Sequence, residues 1–148
     1  MTSIGKLFKI GQRNLVKDLD KLAVTHGVTG TQLSAIDFIA DNKYVTQKDI
    51  EQEFHIKASS VATMIDRMVE KKMVTRVPNE KDKRVNEIHL TASGAKINKI
   101  AKQIISSHDD DILRPFSEDE RKTIIKFLKY VAEDNSNPSL EGEKNGRK

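Results

Sequence analysis

Cysteine is missing from all 148 residues, and with it go disulfides, thiol nucleophiles, cysteine-ligated zinc and cysteine-based redox sensing. Tryptophan is missing too, and aromatics make up only 5% of the chain, which disfavours a fold that reads RNA by stacking bases on a sheet. No apolar run approaches the roughly 18 to 20 residues that cross a bilayer, and the opening MTSIGKLFKIGQRN has no continuous apolar stretch of the secretory kind. The expected location is the cytoplasm, with no membrane partner. The histidines His26, His55, His89 and His108 fall in separate segments, with no Ser-His-Asp spacing, phosphate-cradling glycine loop or zinc-ligand motif around them. No catalytic residue, metal ligand or cofactor is expected. The run HDDD, His108 to Asp111, would point its side chains in different directions on a helix, so it reads as a solvated helix end.

What is present is enough for one sizeable core, since 36% of the residues are hydrophobic, and a single domain is the default for this length. The net charge of +4 is modest but concentrated. Between Lys57 and Arg84, eight basic residues face four acidic ones, a surplus equal to that of the whole chain, so the remainder is neutral. Such a concentration is the footprint of an anionic partner.

Hydrophobic spacing divides the chain into helices and one hairpin. Ile4, Leu7, Phe8, Leu15, Leu19 and Leu22 recur at helical spacing, with Gly27 and Gly30 ending the run. TGTQLSAIDFIADN predicts a second helix, capped by Thr29 or Thr31, burying Leu33, Ile36, Phe38, Ile39 and Ala40 and stopping near Asn42. Thr46 followed by Asp49 resembles a capping box, opening a short helix that buries Ile50 and Phe54. After a turn at His55 to Lys57, ASSVATMIDRMVEKK resumes with Val61, Met64 or Ile65, Met68 and Val69 inward. MVTRV and VNEIHL then alternate with period two and form a hairpin around a charged loop. Thr91 caps a helix through Ile97, Ile100, Ala101, Ile104 and Ile105 to about Leu113, which Pro115 breaks. Ser117 and Glu120 form a capping box for a last helix bearing Ile124, Phe127, Leu128 and Val131. Residues 135–148 are polar and rich in Pro, Gly and Ser, and are expected to be a disordered tail.

Two helices joined by a short turn make a helix-turn-helix, and its continuation into a basic-tipped hairpin makes the winged form. A single helix fits the major groove, so its N-terminal half can present Ser59, Ser60 and Thr63 to base edges or phosphates. Ser59 is equally suited to capping the helix, because Lys57 is a poor cap. Lys57 and Arg67 suit phosphates, where a charge fixes register without reading sequence. Lys81, Lys83 and Arg84 would lie over phosphates or enter the minor groove, whose negative potential favours arginine. Asp82 would repel DNA unless its carboxylate braces Arg84 or the turn, and that is the role assigned to it.

The segment SSVATMIDRMVEKKMVTRVPNEKDKRVNEIHLTASG resembles the winged helix-turn-helix signature of the multiple antibiotic resistance regulator (MarR) family. The matching positions are Ser59, Ser60, Asp66, Arg67, Met68, Met73, Val74, Arg76, Asp82, Arg84, Leu90, Thr91 and Gly94. The resemblance implies a mainly α fold with a small β-hairpin, in which a winged helix-turn-helix lobe joins a helical dimerisation region. It implies one domain over residues 1–134, with dimerisation helices at about 3–25 and 92–134 and a DNA-binding lobe at about 30–91. It also implies a homodimeric bacterial transcriptional regulator, usually a repressor, whose wing arginine, here Arg84, enters the minor groove while Asp82 holds it. Release from double-stranded DNA by a small aromatic or anionic effector is common in the family, whereas release by cysteine oxidation is closed to this chain. Two positions depart from the pattern. Thr63 stands where the family often has arginine, and Lys72 where it usually has a left-handed glycine, a substitution that costs about 1 kcal/mol.

Dimerisation also follows from surplus apolar residues, because Ile4, Leu7 and Phe8 at one end and Ile124, Phe127 and Leu128 at the other exceed what a small winged lobe needs. A twofold axis would cover them and set two recognition helices about one DNA turn apart on a pseudo-palindromic site. The competing reading is a winged-helix module that binds another protein without sequence-specific DNA contact, against which the local surplus of positive charge argues. Family effectors lie between dimer body and winged lobe, which directs attention to Phe8, His26, Phe38 and Phe54, although plain core packing is the better account of such aromatics.

Overall fold

The computed structural model describes residues 2–133, and the segment expected to be a disordered tail, 135–148, lies outside the described residues. Eight elements follow in order: α1 (Ile4–Val24), α2 (Gly30–Asp41), α3 (Gln47–Phe54), α4 (Ala58–Glu70), β1 (Val74–Pro78), β2 (Asn86–Leu90), α5 (Ala92–Leu113) and α6 (Glu118–Ala132). The described residues divide into two compact units, one ending at His108 and the other beginning at Asp109.

Helix starts are written in local polar chemistry. Ser3, Thr29, Thr46 and Ser117 each accept a hydrogen bond from the backbone N–H three residues on, satisfying donors that a helix start leaves orphaned. At Thr29, Thr46 and Ser117 the bond is reciprocated by Gln32, Asp49 and Glu120, so Asp49 serves where glutamate or glutamine is usual. Thr29 is the cap and Thr31 is not. Gly30, expected to end the first helix, instead opens the second; α1 stops at Val24, and the chain reverses through Gly27 at φ +74°.

The first unit has one core. Leu33, Ile36, Ile50, Val61, Ile65, Met68, Val74 and Ile88 are fully buried, at about 1.5–3 kcal/mol for each large side chain. Ile65, not Met64, is the inward residue of α4, and Ala40 is exposed rather than buried, because α2 turns Ala35 inward instead. Phe38 and Phe54 meet edge to face at 5.9 Å against this core. Ala101 of α5 is buried in it, and Lys102 reaches both Asp37 and Asp41 of α2 at 2.9 Å. Those two carboxylates, Asp37 first, raise the pKa of the Lys102 ammonium.

By contrast, α1 buries only Ala23, and Ile4, Leu7, Leu15 and Leu22 stand in solvent. In the second unit, Arg121 donates to the carbonyls of Leu113, Arg114 and Phe116 that close α5, while α6 buries nothing among the described residues. Asp111 is paired with Arg114, and no group of three or more His, Asp or Glu side chains converges on a metal-sized site among the described residues. No described helix is long and apolar enough to cross a membrane.

β1 and β2 pair antiparallel, from Val74 opposite Leu90 to Pro78 opposite Asn86. Ile88 donates its N–H to the Val45 carbonyl at 2.7 Å, and Thr46 bridges Glu87, so the middle and loop-side half of β2 are stitched to the residues that lead into α3. Between α4 and β1, Lys72 adopts φ +60°, the left-handed conformation anticipated at that position. Lys72→Gly should therefore stabilise the fold by about 0.5–1 kcal/mol, the relief of strain exceeding the entropy that glycine adds to the unfolded chain. Chemical denaturation of the two proteins checks it.

Candidate nucleic-acid interface

α3 and α4 meet through a tight turn. His55 takes φ +50°, Ile56 donates to Glu51 O at 3.2 Å, and Lys57 returns to extended backbone as the N-cap of α4. No side chain caps α4, so the capping role open to Ser59 is not taken up; Ser59 lies inside the first turn. Ser59 and Ser60 are both exposed there, above uncapped backbone N–H groups and with no acidic residue in that turn. This is an anion-attracting end. Thr63 is also exposed, but its hydroxyl donates to the Ser59 carbonyl at 3.0 Å, which leaves its lone pairs and methyl group for an incoming partner. Lys57 and Arg67 are exposed with no side-chain partner among the described residues. Ser59, Ser60, Thr63 and Arg67 line a hollow of about 380 Å³ together with Thr29 and Gln32 from the start of α2.

Two residues of the sequence motif prove to be scaffold. Asp66 of α4 meets Arg76 of β1 at 2.5 Å, and Arg76 also donates from Nε to Gln47 Oε1 at 3.1 Å. Recognition helix, wing and α3 are thereby tied together by one guanidinium. Lys71 adds a second tie, donating to Gly27 O at 2.7 Å.

At the wing tip, Arg84 donates from its backbone N–H and from Nε to Asp82 Oδ1, at 3.1 and 3.0 Å, and from Nη2 to Oδ2 at 3.2 Å. The Arg84 side chain is nevertheless 91% exposed. It is braced without being buried. The Arg84 guanidinium, followed by the Arg84 backbone N–H, lowers the pKa of Asp82. The brace is therefore intact at neutral pH and is lost only as pH falls through that lowered value, below the ordinary carboxylate range. Lys81 and Lys83 are exposed beside it, their ammonium groups without partners among the described residues.

The sequence reading did not single out Asn79, Glu87 or Gln47. Asn79 was findable, since asparagine early in a turn commonly bonds backbone two residues on. Glu87 was not, because its burial to 8% exposure depends on the Thr46 bridge, which no periodicity announces. The aromatics considered for an effector do not gather: Phe38 and Phe54 are core neighbours, whereas Phe8 and His26 are exposed.

The geometry is that of a winged helix-turn-helix, and known proteins share it. The sequence profile of the MarR family matches residues 26–85. A transcription regulator MarR from Oenococcus oeni PSU-1 of known crystal structure is 31% identical, with a TM-score of 0.71 over 88% of this chain and 99% of that one. The chain belongs to the MarR family. The fold is also that of MepR from S. aureus in its DNA complex, at a TM-score of 0.81 and 19% identity over 90% of this chain and 99% of that one. Among curated relatives, the HTH-type transcriptional repressor MdtR of Bacillus subtilis is 29% identical over 92 residues, 62% of this chain and 57% of its own length. The chain spans 66%, 81% and 57% of the lengths of three such curated relatives.

Proposed function

We propose that this MarR-family chain is a cytoplasmic transcriptional repressor that binds pseudo-palindromic double-stranded DNA as a homodimer and releases it on binding a small aromatic or anionic effector. The observation that carries the reading is an arginine fixed in direction by Asp82 yet 91% exposed, at the tip of a wing tied to an uncapped helix. Such an arginine is oriented before DNA arrives, so little side-chain entropy is lost on binding.

In this reading α4 enters the major groove. Ser59 and Ser60 meet base edges or phosphates, Thr63 accepts from a base amino group or packs on a thymine methyl, and Lys57 and Arg67 neutralise phosphates. Lys81 and Lys83 lie along the backbone, and Arg84 enters the minor groove with Asp82 as its brace. A second copy covers the exposed apolar residues of α1, together with Ile125, Phe127 and Leu128 of α6, which makes residues 3–25 and 92–134 the dimer body and 30–91 the DNA-binding lobe.

The test is a binding titration against the duplex that the wild-type protein selects from a random-sequence pool, repeated across salt concentrations. Arg67→Ala should weaken binding to selected and unrelated duplexes alike and lower the slope of log K against log salt by about 1 per lost phosphate contact. An unchanged slope removes Arg67 from the phosphate contacts. Failure to enrich any sequence would favour the protein-interaction reading.

A further inference from the structure

We infer that Asn79 is a positioning residue that aims the wing arginine, acting through a relay from the buried Glu87. The inference rests on the reading of Arg84 as a DNA contact. The Asn79 side-chain oxygen accepts from the backbone N–H groups of Lys81 at 2.9 Å and Asp82 at 3.1 Å, which folds the first half of the wing tip. The Asn79 backbone N–H closes the tip by donating to Val85 O at 2.8 Å, and Val85 N–H donates to Asp82 O at 3.0 Å. The orientation of Asp82, and hence of the carboxylate that grips Arg84, is set by this one asparagine.

The asparagine is itself held from the core. Its amide donates to Glu87 Oε1 at 3.1 Å, and the Glu87 side chain is only 10% exposed, with its other oxygen 3.2 Å from His89 Nε2. The Glu87 backbone is fixed as well, because it bridges Thr46 and the next residue, Ile88, is bonded to Val45. Asparagine alone suits this place: it accepts twice with its oxygen and donates with its nitrogen, whereas aspartate would keep the two backbone bonds but set a carboxylate against that of Glu87.

The test is a double-mutant cycle read as affinity for the selected duplex. Arg84→Ala should weaken binding, and Asn79→Ala should weaken it by about fivefold alone but by less than about twofold in the Arg84→Ala background. Asn79→Asp should weaken binding, and Asn79→Asp with Glu87→Gln should restore it to within about twofold, because glutamine donates back to the aspartate. That pair carries the test if Asn79→Ala proves poorly folded. Equal losses from Asn79→Ala in both backgrounds, or no rescue by Glu87→Gln, overturn the positioning role while leaving Arg84 as a contact. No loss from Arg84→Ala itself overturns the reading beneath.

Discussion

Arg84→Ala weakens binding to the selected duplex by at least about tenfold and leaves both the dimer and its melting midpoint unchanged. The two halves of that expectation have separate causes. Binding falls because a guanidinium placed in a groove contributes about 1–3 kcal/mol of recognition, and Arg84 is delivered already oriented. Stability does not fall because the side chain is 91% exposed and, among the described residues, its only side-chain partner is Asp82, itself 42% exposed. Exposed ion pairs contribute little to folding. Arg84→Lys should recover only part of the loss, since lysine keeps the charge but cannot present the fork that Asp82 grips with two oxygens. Anisotropy titration and thermal melting of the same preparations separate binding from stability.

Gly94→Ala destabilises the fold by about 3 kcal/mol, lowering the melting midpoint by roughly 10 °C. Helix propensity alone points the other way, because alanine inside a helix is worth about 1 kcal/mol over glycine. The local geometry decides the sign. A Cβ on Gly94 would stand 2.1 Å from the Met73 carbonyl oxygen and 3.3 Å from Leu90 Cδ2. That oxygen has little room to retreat, because it accepts from the Thr91 backbone N–H at 3.0 Å while the Thr91 hydroxyl donates to the adjacent Lys72 carbonyl at 2.5 Å. The same hydroxyl accepts from Gly94 N–H and so caps α5. Relieving the clash would mean separating α5 from the strand that begins the wing. Thermal and chemical denaturation measure the effect, and a Gly94→Ala protein as stable as the wild type would show the junction to be softer than its hydrogen bonds imply.

Much of this architecture was legible because it is set locally. The caps at Thr46, Thr91 and Ser117, the stop at Asn42 and the hairpin of alternating residues each follow from a few adjacent side chains. The left-handed Lys72 was foreseeable from the family pattern, not from its own residue type. What escaped was whatever depends on residues distant in sequence. Asp66 and Arg76 belong to the motif, but only the fold brings them to 2.5 Å and makes them a brace between helix and wing. Glu87 reads as an ordinary outward strand residue until the Thr46 bridge covers it. Thr63 reads as a free hydroxyl until the helix puts the Ser59 carbonyl within its reach. Among the candidate contact residues, the fold gathers Ser59, Ser60, Thr63 and Arg67 around one hollow and sets Lys81, Lys83 and Arg84 in one loop, as their sequence spacing suggests.

The central claim is that α4 and the wing bind duplex DNA with sequence preference, and competition titration tests it most directly. Labelled selected duplex is titrated with purified protein at two salt concentrations, with unlabelled unrelated duplex in excess. The account predicts binding that survives the competitor, saturates at two protomers per duplex and weakens steeply as salt rises, as counterion release from several phosphates requires. Binding abolished by the unrelated competitor, or insensitive to salt, would contradict it.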